Sequence, residues 1–599
     1  MSSSPQEMTS DLIVRRLRDW GVERVYGYAG DGNNPLLGAL RRAGGSPEFI
    51  GSRHEEGAAF MAVGEAKYGE RVGVVTATQG PGGVHLLNGL YDAKLDSVPV
   101  VALVAQQVRS VLGSGYQQEI DLQHLFADVT GGAVQTVSVP EQLPMVVDRA
   151  FRSALARGGP AVMVLPHDVL QEHAPELGQE HGEVVTAPRW STGVTVPAEA
   201  DVRAAAKVIS EGEKVAILVG QGVRHAQAEV IELAERLGAP VATSLLGKPY
   251  VDESHPLAAG TMGHLGTPAS AHALQNCDTV VLIGTDDPWT EFYPAPGQAR
   301  AVQLDVDPSA LGNRYPVEVG LVGDAAESIT ALLPHLKERG DDRWRAEVEA
   351  AVAASREVAR RRADVEAEPL NPELVVRGFG ERVPANAQAA IDVGSCVYHY
   401  VRQTSWPTSV PAHLSSTLAS MGCAVPYALA AKETAPDRPV VALAGDGAMQ
   451  MLGINELITV AHRWRGWEDP RFVLLVLQNR DLAEVSWEQR ETEGEPRFAA
   501  SQEVPGFDFA AYARQLGLAG LRVRDSAEVD AVLAEAFSED RPVVIDARTD
   551  ADVPLLPPLP HGEELAESMK TGLAAEGEAG RHGHELLERY LRIGRQLRS

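Results

Sequence analysis

Gly-Asp-Gly occurs twice in the chain, in "YGYAGDGNN" (Tyr26 to Asn34) and in "VALAGDGAMQ" (Val441 to Gln450). A glycine-flanked aspartate after a buried strand can offer a carboxylate to a metal while bare backbone admits a diphosphate. In the second copy, Gly445-Asp446-Gly447 follows the apolar run "VVALA", and helical spacing begins at once in "MQMLGINELITVAHRW". That puts Asp446 at the carboxyl end of a parallel strand, where doubly wound sheets bind ligands. The next apolar run, "FVLLVLQN", ends at Asn479 and brings a second hard oxygen donor to the same edge. With a backbone carbonyl and two diphosphate oxygens, this set would suit octahedral Mg²⁺. On the tripeptide alone, a tight turn with Asp446 capping the helix is the simpler account. The first copy has no partner oxygen at the end of the following run, "EFIGSRHEEG", and is expected to be a turn that shapes a cleft.

The elements that would position these residues alternate between strand and helix, predicting an α/β protein of three doubly wound parallel-sheet domains. At 599 residues the chain is too long for one core. The first block spans residues 6–185. "SDLIVRRLRDWG" has helical spacing, with Ser10 as N-cap and Gly21 as stop. "VGVVTAT" and "VPVVALVA" are continuous apolar runs of the kind buried on both faces of a parallel sheet. A second block spans 197–337 ("KVAILVG", "APVATS", "TVVLIG", "RAVQLDVD"), and a third spans 369–555 ("AAIDVG", "PVVALAGDG", "FVLLVLQN", "RPVVIDAR"). Residues 173–197, rich in polar residues, Gly and Pro, and the charged, helical 338–368 read as connections. The 556–599 tail ends in a helix expected to pack on its parent domain rather than on a membrane. "PVVALVAQQ" and "PVVALAGDG" share five residues, which suggests that blocks one and three have a common fold.

A formal net charge of -29 argues against nucleic acid or an anionic membrane as partner. The N-terminus lacks a signal-peptide pattern and no apolar run reaches the length of a membrane span. Cys277, Cys396 and Cys423 are far apart, which excludes a disulfide scaffold or cysteine zinc site and suits a reducing compartment. A cytoplasmic protein is expected.

Several separate stretches, in order, resemble the thiamine-diphosphate enzyme superfamily. They are "SRHEEGAAFMA", "TATQGPGGVHLLNGLYDA", "GSGYQQEIDLQHLFADV", "SMGCAVPYALAAK" and "GDGAMQML…VLLVLQN". The resemblance spans nearly the whole chain and points to the pyruvate oxidase and pyruvate:quinone dehydrogenase branch, with acetolactate synthase as a near cousin. It implies pyrimidine-binding, central and diphosphate-binding domains, and an active site shared between subunits of a homodimer or homotetramer. Asp446 and Asn479 then match the Mg²⁺ ligands, joined by the Asp481 carbonyl. Gly445, Gly447, Ala448 and Met449, with Gly394 and Ser395 of "DVGSC", would lie against the diphosphate of thiamine diphosphate. Met421 matches the residue that bends the cofactor, and the Ala419 backbone would hold its aminopyrimidine. Without the family, Glu55 and Glu56 could not be told apart. The family assigns Glu55 as the acid beside the pyrimidine ring nitrogen. Its carboxyl would favour the tautomer that removes the thiazolium C2 proton. Decarboxylation of a 2-oxo acid such as pyruvate would leave an enamine, to be oxidised or transferred to an acceptor carbonyl. A non-catalytic thiamine-diphosphate-fold binding protein is the reading from a different class.

Four departures bear on the reaction. The stretch from Gly447 to Asn479 is longer than the family's usual spacing, with extra length in "HRWRGWEDPR". Gln79 stands where a small residue is usual, and could reach the substrate or fill space. Gln117 replaces an aromatic beside Gln118, which suggests a more polar substrate pocket. Val485 is a further pocket candidate. The central block matches the FAD-binding branch, yet Thr290 replaces an Arg and Asp286 and Asp287 add negative charge, which leaves FAD open. His54 and His85 adjoin motifs without forming a decarboxylase-type pair, and His85 is expected to pack.

Overall fold

The computed structural model describes residues 7–178, 180–337 and 343–596. They build three six-stranded sheets in which every neighbouring pair of strands is parallel. The first sheet holds β1 (Arg24–Gly27), β2 (Glu48–Gly51), β3 (Gly73–Ala77), β4 (Val100–Gln106), β5 (Val134–Thr136) and β6 (Pro160–Pro166). The second holds β7 (Val215–Val219), β8 (Val241–Thr243), β9 (Ala258–Thr261), β10 (Thr279–Ile283), β11 (Arg300–Asp305) and β12 (Val319–Val322). The third holds β13 (Gln388–Ile391), β14 (Ala412–His413), β15 (Val440–Gly445), β16 (Phe472–Gln478), β17 (Ala519–Val523) and β18 (Val543–Arg548).

Strand composition follows from burial on two faces. Val100, Ala102 and Val104 of β4 face one apolar core, while Val101 and Leu103 face another. A strand with no solvent face has no use for alternating polar residues, so it reads as a continuous apolar run.

The first sheet runs β2-β1-β3-β4-β6-β5 and the third β14-β13-β15-β16-β18-β17, the same order. The common fold expected from the shared pentapeptide is therefore present, but the pentapeptide itself misaligns the two sheets. It lies in β4, the fourth strand of its sheet, and in β15, the third of its own. By order, β15 corresponds to β3. The second sheet, β12-β11-β10-β7-β8-β9, has the strand order of dinucleotide-binding folds.

Helix Glu55–Gly69 of the first unit crosses helix Ala424–Thr434 of the third, and the two share one apolar core containing Phe60, Val63, Tyr427 and Ala428. Gly64 permits the approach: a Cβ there would lie 2.7 Å from Ala430 Cβ. A buried ion pair, Lys67 Nζ to Asp96 Oδ2 at 2.8 Å, lies in the same contact, and Lys67 also donates to the Leu414 carbonyl.

Two local expectations are corrected. The first helix spans Thr9–Asp19, so Ser10 lies inside it and Met8 takes the N-cap position. The Thr9 N–H and hydroxyl both donate to the Glu172 carbonyl, and Asp11 accepts from the Met8 N–H, which starts the helix early. The tail contains two helices, His561–Ala575 and Arg581–Gln596, rather than one. Leu587 and Leu591 of the second enter the core of the third sheet, as expected of packing on the parent domain. The charged connection is helical over Arg343–Ala363. Among the described residues, no helix is long and apolar enough to cross a membrane.

Candidate active site

β15 ends at Gly445, and Asp446 opens a helix that passes through a π turn at Met449–Gly453 into Ile454–Arg463. The Asp446 carboxylate is buried, accepting from the Gly447 N–H at 3.0 Å and the Arg480 N–H at 2.7 Å. Among the described residues no cationic side chain pairs with it, and burial pushes its carboxyl up to about 7. Asn479 follows β16 at the same edge, and its Oδ1 accepts from the Asp481 N–H at 3.0 Å. The buried Asp481 carboxylate is held by Arg497 at 2.8 Å, so its side chain is neutralised within the chain. Arg480, between them, takes a positive φ of 61°.

The glycines here face two ways. Cβ atoms placed at Gly445 and at Gly394, the latter with φ 124°, would meet nothing within 4 Å. At Gly447 a Cβ would meet Leu482 Cδ2 at 2.9 Å and Met421 Cε at 3.2 Å. Open backbone beside a buried, cation-free carboxylate and an amide oxygen fits a divalent cation carrying a diphosphate. Ala448 and Met449 are buried in the first turn after Gly447, and Ser395 begins the helix Ser395–Gln403 that Gly394 caps.

A residue that the sequence reading missed ties these loops together. Asp392 Oδ1 accepts from the Val393 N–H at 2.9 Å and the Gly422 N–H at 2.7 Å, and Oδ2 accepts from the Ala424 N–H at 3.1 Å. It thereby fixes the loop carrying Ala419, at φ 58°, and Met421 to the loop carrying Gly394 and Ser395. An aspartate directly before Val-Gly-Ser at a strand end was the available signal.

Glu55 begins helix Glu55–Gly69, whose N-cap His54 accepts from the Glu56 N–H through Nδ1. Glu55 is 8% exposed, and its Oε2 lies 3.0 Å from His85 Nδ1. The expectation that His85 merely packs is corrected: the ring is half-exposed and directly contacts this acid. The ligand atoms of His54, Glu55 and His85 lie within 4.8 Å of one another, but His54 Nδ1 is already used as the helix cap. Glu56 is distinguished from Glu55 by a different partner, the Asn88 side chain, which also donates to Ser420 Oγ at 2.7 Å.

Gln79 follows β3 and is buried. Its Nε2 donates to Asp31 Oδ1 at 3.1 Å and to Gln118 Oε1 at 3.0 Å. The Gln79 carboxamide fills the space that a Cβ at Gly32 would need. The first Gly-Asp-Gly is thus closed by the protein's own side chain, and Asp31 anchors Gln79 rather than standing free. Gln118 takes φ 63° beside Gly80. Gln117 is exposed, and its carbonyl accepts from Gln107 Nε2. Val485, 48% exposed, lies on helix Ala483–Glu488 at the edge of the third sheet. Within one chain and among the described residues, no hydrogen bond or ion pair joins Glu55, Gln79 or Gln118 to Asp446, Asn479 or Asp481.

At the corresponding edge of the second sheet, Gly222 and Gly284 press their backbones together, so a Cβ on Gly222 would meet Gly284 Cα at 2.6 Å. Asp286 occupies Arg314 at 2.9 Å, and burial pushes the Asp287 carboxyl up to about 6. Thr290 opens the turn Thr290–Phe292. These residues supply acids and no uncommitted cation, a poor match to the pyrophosphate of a dinucleotide.

Three family models match along the chain. They are the thiamine pyrophosphate enzyme N-terminal TPP binding domain over 8–125, the central domain over 202–332 and the C-terminal TPP binding domain over 392–547. The chain is 33% identical over 554 residues to the protein YdaP of Bacillus subtilis, covering 92% of this chain and 93% of that one. It is 30% identical to the pyruvate oxidase of Lactiplantibacillus plantarum, covering 96% and 93%. It is 31% identical to the acetolactate synthase isozyme 2 large subunit of Escherichia coli, covering 93% and 99%.

Proposed function

Because this chain belongs to the thiamine pyrophosphate enzyme family, in the pyruvate oxidase and acetolactate synthase branch, we propose that it decarboxylates a 2-oxo acid such as pyruvate. The acyl unit would then be oxidised or joined to an acceptor carbonyl. Thiamine diphosphate, when bound, supplies the electron sink for that decarboxylation.

In this reading Asp446 and Asn479 hold Mg²⁺ with the Asp481 carbonyl, and the backbone at Gly394, Ser395, Gly445, Gly447, Ala448 and Met449 receives the diphosphate. Met421 and Ala419 support the pyrimidine. Glu55 holds a proton against the pyrimidine ring nitrogen, and His85 orients its carboxyl through the 3.0 Å contact. Gln79 and Gln118 face the substrate, with Gln117 and Val485 at the pocket rim. The Glu55 and Asp446 halves belong to different subunits of a homodimer or homotetramer. The observation that carries the reading is the buried Asp446 carboxylate, unpaired with any cation among the described residues, next to Asn479 at a strand end.

Transfer to an acceptor carbonyl gains support from the second sheet, whose edge is a poor match to a flavin pyrophosphate. The test is mass spectrometry of ligands released from the purified protein, followed by turnover of pyruvate with Mg²⁺ and thiamine diphosphate added. Dye reduction identifies oxidation, and acetolactate or acetoin without dye reduction identifies transfer. Failure to bind thiamine diphosphate, or to consume any 2-oxo acid once it is bound, removes the proposal.

A further inference from the structure

A cavity of about 410 Å³ lies between β9 with its following helix Pro268–Asn276, the connecting helix Arg343–Ala363, and the last turn of helix Ser395–Gln403. Its size falls in the range of small-molecule sites, which pair apolar walls with a few fixed polar groups. Ala259, Pro268, Ala269, Val352 and Val401 supply apolar wall.

The polar groups are unusual. Arg362 is 5% exposed and Glu373 1% exposed, and both line the cavity. Arg362 Nε and Glu373 Oε1 are buried without any hydrogen-bond partner. Arg402 also lines it and spends its donors on the Leu265 and His264 carbonyls. Among the described residues neither guanidinium has a carboxylate within the 4.0 Å ion-pair reach, whereas Arg360 and Arg377 at the rim both pair with Asp364. Arg362 and Arg402 stack instead on Tyr590 and Tyr398, at 5.2 Å and 5.1 Å from the ring centroids. Burial and mutual repulsion push the Arg402 guanidinium down to about 10, and burial lowers Arg362 as well. One buried cation, Arg362, and one part-buried cation, Arg402, neither of them ion-paired with Glu373, leave a net positive, incompletely bonded chamber, which is costly unless an anion completes it.

We propose that this interdomain cavity binds an amphiphilic organic anion, its acid head facing Arg362 and Arg402 and its apolar body along Val352 and Pro268. None of these residues belongs to the candidate active site, so the inference stands whether or not the proposed reaction does. The helix Ser395–Gln403 has its first turn at that site and its last turn in the cavity.

The probe is 8-anilinonaphthalene-1-sulfonate, which carries an acid head and apolar rings. It should titrate the full-length protein with one high-affinity site per chain and be displaced by 3-phenyllactate. Hydrogen exchange of the parent protein should slow in 355–362 and 400–405 on binding, and remain unchanged in helix Pro81–His85. Arg402→Met should weaken probe binding at least tenfold. Ala359→Phe, which fills the cavity and keeps both arginines, should weaken it as much. Protection elsewhere in the parent protein, or full-affinity binding to folded Ala359→Phe, overturns the proposal.

Discussion

The carboxylate of Glu55 and the imidazole of His85, thirty residues apart in the chain, meet at 3.0 Å at the mouth of the first sheet. The contact assigns different tasks to the two residues. Glu55→Gln keeps the shape and removes the acid, so turnover should fall by about 10²–10⁴ with thiamine diphosphate still bound. His85→Asn should lower kcat by about tenfold. Steady-state kinetics alongside cofactor titration check both, and an active Glu55→Gln protein rules out the assigned proton.

Asp446 is a buried carboxylate that no cation among the described residues offsets. Asp446→Asn should therefore raise the Tm of the metal-free protein while abolishing the Tm gain that Mg²⁺ plus thiamine diphosphate give the parent. Thermal scans with and without both ligands test the pair of effects. A variant that still gains stability from the ligands would show that the cation is held elsewhere.

Among the described residues, no hydrogen bond or ion pair joins Glu55 to Asp446 within one chain. If their halves meet across a subunit boundary, two inactive proteins should rescue each other. Glu55→Gln and Asp446→Asn chains, unfolded together and refolded at equal concentrations, should recover about a quarter of parental activity by random pairing of dimers. No recovery would place both groups in one chain's own site.

Burial holds the His399 imidazole down to about 3 and drives His413 well below its ordinary value. In the unfolded chain a histidine protonates near 6.5. Below that pH the unfolded state takes up protons that the folded state refuses, so stability is full above about 6.5 and declines as pH falls toward 3. His399 alone accounts for a loss of about 2 kcal/mol at pH 5. Urea unfolding at pH 7 and pH 5 measures the difference, and His399→Gln should shrink it by about that amount.

Gly64 allows helix Glu55–Gly69 to touch helix Ala424–Thr434. Gly64→Val should destabilise the protein by about 2–3 kcal/mol through overpacking. Ala430→Gly, added to it, should recover part of that loss because it removes the atom in the way. Denaturant midpoints for the two single variants and the double variant give the coupling.

Much of this architecture was legible because parallel strands carry their burial in their composition. "FVLLVLQN" could only be a strand shielded on both faces, and its end delivered Asn479 to the edge where Asp446 lies. The same chemistry misled the comparison of "PVVALVAQQ" with "PVVALAGDG". Val, Ala and Leu report burial on two faces and carry no information about a strand's place in its sheet, so β4 was matched to β15 in place of β3. His85 beside Glu55, and Gln79 filling the space over Gly32, depend on how separate loops come together, which local spacing does not encode. Asp392 escaped notice because two of its three bonds are to backbone N–H groups of a distant loop, at Gly422 and Ala424. The run "REVARRRADVE" read as part of a charged, helical connection, and only its packing against β9 and helix Ser395–Gln403 shows Arg362 turned inward.

The core common to the first and third sheets sets a timetable for the nascent chain. Helix Glu55–Gly69 is complete early, but the helix that covers it begins at Ala424. At ribosomal speed that delay is on the order of tens of seconds. Throughout it Phe60, Val63 and their neighbours must face water or a chaperone, so the amino-terminal third of the protein cannot mature as it emerges. A nick in the stretch between residues 180 and 196, mostly exposed in the finished molecule, would, for the same reason, leave the two fragments clasped together.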